Sequence, residues 1–95
     1  MKVILRKKAQ HSISRIAFYI AKKGNPKNAV KFISKMEDFL YSLAIFPEKH
    51  SICRHVSYAK RKYRCAVFKK NYIFVYKVIK NELVIFNIIH GARLR

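Results

Sequence analysis

The sequence predicts an α+β domain. A short N-terminal strand leads into an antiparallel helix hairpin and then an antiparallel three-stranded meander, with both helices packed on one face of the sheet. Three observations carry this reading. Apolar residues recur at helical spacing from Ala9 to Leu43, the pattern changes to strand-like runs from Tyr63, and short Asn-bearing breaks divide those runs. Ninety-five residues suffice for one core, so residues 1–95 are read as a single domain.

Residues 2–6, Lys-Val-Ile-Leu-Arg, read as the first strand. Ala9, Ile13, Ile16, Ala17 and Ile20 mark a helix that Gly24 is expected to end as a left-handed cap. Asn25 caps a second helix, and Pro26 occupies its first turn, where a missing N–H costs nothing. Ala29, Phe32, Ile33, Met36, Phe39, Leu40 and Leu43 line one face of that helix, which ends before Pro47. So tight a connection makes the two helices a hairpin.

Residues 48–61 show no usable period and are expected as a loop or irregular edge strand. Strands are predicted over residues 63–68, 72–79 and 83–90, joined by turns at Lys69-Lys70-Asn71 and Lys80-Asn81. The middle strand is apolar on both faces except at Lys77, which makes it central. On the strand before it, Arg64, Ala66 and Phe68 share one side, opposite Tyr63, Cys65 and Val67.

Lys and Arg total 22 against 4 acids, a formal net charge of +18. Such an excess repels itself and attracts anions: nucleic acid, an anionic membrane surface or an acidic protein. The N-terminal apolar stretch is too short for a signal peptide, and the longest apolar runs fall far below the ~20 residues of a spanning helix. The expectation is a cytoplasmic protein with no membrane partner, its Cys53 and Cys65 being at least partly buried free thiols.

Carboxylates are limited to Glu37, Asp38, Glu48 and Glu82, so paired-carboxylate and two-metal chemistry are excluded. His50, Cys53, His55 and Cys65 match no zinc-binding spacing, and Gly24 and Gly91 cannot form a phosphate-cradling loop. No metal and no cofactor are expected. Arg64, His90 and Arg93 remain as candidates for metal-independent phosphodiester cleavage, the histidine as acid or base and the arginines on phosphate. Without further information, a strand-end histidine among exposed cations is the favoured reading. Tyr63, Tyr72 and Tyr76 share strands with apolar neighbours and read as core residues in preference to base-stacking platforms.

Tyr63-Arg64, the strand Asn71-Tyr72-Ile-Phe-Val-Tyr76-Lys-Val78, and an Ile-rich strand running into His90-Gly91-Ala92-Arg93 resemble the RelE/ParE toxin superfamily of type II toxin–antitoxin systems. The helix ending in Leu43-Ala-Ile-Phe46-Pro47 fits as well. The resemblance implies a growth-arresting, plasmid-stabilisation toxin neutralised by a cognate antitoxin with an acidic C-terminal segment. RelE-like members are ribosome-dependent mRNA endoribonucleases, whereas ParE-like members poison DNA gyrase. Arg64 and Arg93 match basic residues of the nuclease set. Ala66 stands where that set has a lysine, Ile73 where it has an arginine, and no tyrosine follows Arg93. The strand at residues 72–76 resembles the ParE side, so gyrase is the expected target, with the ribosome and its mRNA as the alternative. Arg61, Lys62, Arg64, Arg93 and Arg95 are the expected binding residues for an acidic partner.

Overall fold

The computed structural model describes residues 1–90. In chain order, β1 (Lys2–Leu5) is followed by α1 (Lys7–Lys23), α2 (Pro26–Ile45), a 3₁₀ turn (Pro47–Lys49), the one-turn α3 (Val56–Ala59), β2 (Arg64–Phe68), β3 (Tyr72–Ile79) and β4 (Glu82–His90). The α+β class, the helix hairpin and the three-stranded meander are as the sequence predicts. The sheet order is β1-β4-β3-β2. Thus β3 is central, as its two apolar faces require, and β4 is central too because β1 pairs with it in parallel.

Local chemistry explains the hairpin. The Asn25 side chain accepts the Asn28 N–H at 3.1 Å, capping α2 with Pro26 behind it. Gly24 corrects one expectation: its φ is −109°, so the cap is not left-handed. The helix stops because Asn25, preceding a proline, is held extended at φ −144° and ψ 163°. Phe32, Met36, Leu40 and Leu43 of α2, with Ala9 of α1, bury against Ala66, Phe68, Phe74, Tyr76, Leu83, Ile85 and Ile88 of the sheet. Aromatic edges tighten this layer, with Phe39 at 5.3 Å from Phe74 and Phe32 at 5.6 Å from Phe68.

Strict alternation along β4 would send Ile85 and Ile88 to opposite faces. A β-bulge resolves the conflict: Val75 pairs with Asn87 and Tyr76 with Ile85, which leaves Phe86 as the extra residue. Both isoleucines therefore reach the helix layer, while Phe86 and Ile89 join Tyr58, Tyr63, Cys65, Ile73 and Val75 on the opposite face. Lys80 and Asn81 both take positive φ, 49° and 61°, which a two-residue hairpin turn requires.

The second face is partly covered by residues 50–63, which hold a short α3 that the sequence pattern does not announce. Ile52 bridges to Arg64, and Cys53 N–H donates to the Tyr63 carbonyl at 2.9 Å. This irregular edge agrees with the expectation for the segment. It also places Cys53 beside Cys65, and the two form a disulfide, which overturns the expectation of free thiols. A sequence separation of 12 does not reveal pairing, since only the folded-back edge brings the sulfurs together.

The loop that the disulfide closes sets an expected cost. Reduction should lower unfolding free energy by roughly 3 kcal/mol through regained chain entropy. Urea unfolding with and without reductant measures it, with a Cys53→Ser/Cys65→Ser variant as control. An unchanged midpoint would show that the hydrogen bonds of residues 51–53 suffice to hold that edge.

Candidate functional site

The sequence-predicted residues fall into separate places. Arg61 and Lys62 are exposed in the turn between α3 and β2, where the Lys77 ammonium donates to the Arg61 carbonyl at 2.8 Å and Lys62 takes φ 60°. Lys77 also sits 5.7 Å over the Tyr63 ring, so its charge is held against the sheet. Arg93 and Arg95 lie outside the described residues.

Arg64 begins β2 and is half-buried. Its Nη1 donates to the His50 carbonyl at 2.7 Å, next to the Tyr76 hydroxyl, which donates to the Pro47 carbonyl at 2.6 Å. These two bonds clamp the segment that follows α2 onto the end of the sheet. Burial pushes the Tyr76 phenol up against the opposing pull of Arg64. Burial and then the adjacent Lys49 ammonium hold the His50 imidazole below its ordinary value.

His90 is exposed at the far end of β4, its ring 5.9 Å from that of Tyr72. The register aligns Phe68 with Tyr72 and Tyr72 with His90, whereas Arg64 aligns with Tyr76. Four residues along β2 and two strand spacings across the sheet put Arg64 and His90 roughly 16 Å apart at the backbone. One phosphate cannot bridge that distance. Ala66, where the nuclease pattern has a lysine, is 0% exposed beneath the helices. Tyr63 and Tyr76 are buried core residues and Tyr72 is half-buried. The sulfurs of Cys53 and Cys65 are bonded to each other, so neither is a thiolate ligand.

A cleft at the His90 end has no counterpart in the sequence reading. It measures about 530 Å³ and lies between α1 and the C-terminal end of β4, lined by Lys8, Ser12, Arg15 and Tyr19 on one side and by Tyr72, Asn87 and His90 on the other. A signal for it exists in the sequence: Asn87 is the one polar residue within Leu83-Val-Ile-Phe-Asn87-Ile-Ile89, and Lys8, Ser12, Arg15 and Tyr19 recur on one helical stripe.

The lowered His50 value gives a pH dependence. Folding favours the neutral ring, so its contribution is complete above the unfolded value of 6.5 and is lost as pH falls through the lower folded value. The urea midpoint should fall as the pH drops below 6.5, and His50→Gln should flatten that fall. Equal slopes for the two proteins would show that His50 carries none of it.

No helix among the described residues is long and apolar enough to cross a membrane. No curated protein matches the sequence. Among solved structures, a chain of the chromosomal ParDE toxin–antitoxin system from P. aeruginosa is similar, with a TM-score of 0.75 and 14% identity over 95% of each chain. At that identity the likeness concerns the fold alone. The sequence itself matches the family described as ParE toxin of type II toxin-antitoxin system, parDE, over residues 3–95. By that match, running through both helices and all four strands, the chain belongs to the ParE toxin family of type II toxin–antitoxin systems.

Proposed function

We propose that this toxin arrests growth by binding DNA gyrase, without covalent chemistry of its own, and that a cognate antitoxin with an acidic C-terminal segment neutralises it in the cytoplasm. The observation that carries the choice of target is the separation of Arg64 from His90, with Arg64 already donating to the His50 carbonyl. A ribonuclease needs its acid and its phosphate-binding cations around one phosphorus. Each missing transition-state contact costs a few kcal/mol, or ~10²-fold in rate. Ala66 and Ile73 in place of cations deepen that deficit.

A binding toxin needs only a complementary surface. The charge of +18 favours fast encounter with an acidic antitoxin and loses its reach beyond ~8 Å at physiological salt. Arg61, Lys62 and Arg64, with Arg93 and Arg95, are the proposed contacts.

Expression without antitoxin should stop growth and produce gyrase-dependent DNA breaks, with mRNA left intact on translating ribosomes. Arg61→Ala/Lys62→Ala should weaken antitoxin binding by about tenfold at low ionic strength and less at high salt. Codon-phased mRNA cuts that vanish in His90→Ala would replace this reading with the ribosome-dependent nuclease. Normal growth at confirmed soluble expression would remove the toxin reading.

A further inference from the structure

We infer that the cleft between α1 and the C-terminal end of β4 is a binding site for a nucleoside 5′-phosphate. This goes beyond the gyrase reading and does not depend on it.

The cleft is built to donate hydrogen bonds. Asn87 is only 7% exposed, yet it lines this opening. Its Oδ1 accepts the Ile88 N–H at 2.8 Å and lies 3.1 Å from Ser12 Oγ. A backbone N–H can only donate, so the atom it meets is the amide oxygen, and the orientation of the side chain is fixed. Its NH₂ group has no hydrogen-bond partner among the described residues. No fully buried side-chain nitrogen or oxygen among the described residues lacks a partner, so this NH₂ keeps some contact with solvent beside the cleft that Asn87 lines. Asn87 directly follows the bulge residue Phe86 on β4.

Around that fixed donor the lining divides into two kinds. Arg15 supplies an exposed cation from α1; Lys8, on the same stripe, lines the cleft but carries its ammonium 6.0 Å over the Phe86 ring, and no carboxylate faces them among the described lining residues. Tyr19, Tyr72 and His90 supply rings, and Ile16, Ile88 and Ile89 an apolar floor. Lys23 lies 5.7 Å over the Tyr19 ring and extends the positive margin. Cations take a phosphate, flat rings take a base, and the Asn87 NH₂ meets a carbonyl or ring nitrogen on the base edge. The volume of about 530 Å³ falls within the range for small-ligand clefts. An acidic peptide would satisfy the cations but offers no flat acceptor-bearing ring to the amide and the tyrosines.

The test must separate a site from bulk charge. Adenosine 5′-monophosphate, adenosine, inorganic phosphate and tetraglutamate are titrated into the intact protein by calorimetry at physiological ionic strength. The nucleotide should bind at least about tenfold more tightly than any other probe. Arg15→Ala should weaken it by about tenfold, and Lys35→Ala, which removes the same charge from the exposed face of α2, by less than about twofold. Tyr19→Ala should weaken the nucleotide and leave phosphate unaffected. Three outcomes would overturn the proposal: phosphate matching the nucleotide, tetraglutamate matching it with the same Arg15 dependence, or equal losses for Arg15→Ala and Lys35→Ala.

Discussion

The structure depends on one extra residue in a strand that is hydrogen-bonded on both sides. β3 pairs along the whole of β4 on one edge, and β1 pairs with Glu82–Ile85 on the other. Phe86 breaks its alternation, so Leu83, Ile85 and Ile88 all anchor the helix layer. Phe86 itself lies on the opposite face, where its ring is 4.9 Å from that of Tyr63. Next to it, Asn87 Oδ1 accepts from Ser12 Oγ of α1 at 3.1 Å. A single register shift thus sets which way the C-terminal part of β4 faces, with Ile88 in the helix layer and Ile89 in the second cluster.

Elements with a local cause were legible in the sequence. The Asn25–Pro26 start of α2 and the Lys80-Asn81 turn follow from capping and turn chemistry within a few residues. The missing parts depend on contacts distant in sequence. Nothing local shows that β1 would pair in parallel with β4, because the partners Val3 and Leu83 are joined only through the whole fold. The bulge at Phe86 was hidden because the run around it is apolar in either phase. The disulfide was hidden because its partner, Cys53, sits in a segment with no period. At the site, residue types were readable but not distances: Arg64, His90 and Arg93 looked like one constellation, yet Arg64 and His90 lie at opposite ends of the sheet.

That separation gives the basic charge its meaning. Among the described residues, Arg64 and His90 stand at opposite ends of the sheet, and Arg64 already shares its guanidinium with a backbone carbonyl. A surface whose cations are spread favours long-range attraction over chemistry, since steering needs only net potential whereas catalysis needs groups fixed within about 3 Å of the reacting atoms. A partner that supplies carboxylates would also relieve the self-repulsion of a +18 domain, so antitoxin binding and toxin stability should be linked.

The central claim is inhibition of gyrase by binding, and purified components test it most directly. Gyrase and relaxed plasmid are incubated with the protein, and supercoiling and enzyme-linked DNA cleavage are followed on gels. The account predicts that supercoiling falls and cleaved, enzyme-linked DNA accumulates in proportion to added protein, with relief when antitoxin is supplied. Undisturbed supercoiling at protein concentrations well above that of gyrase would contradict it.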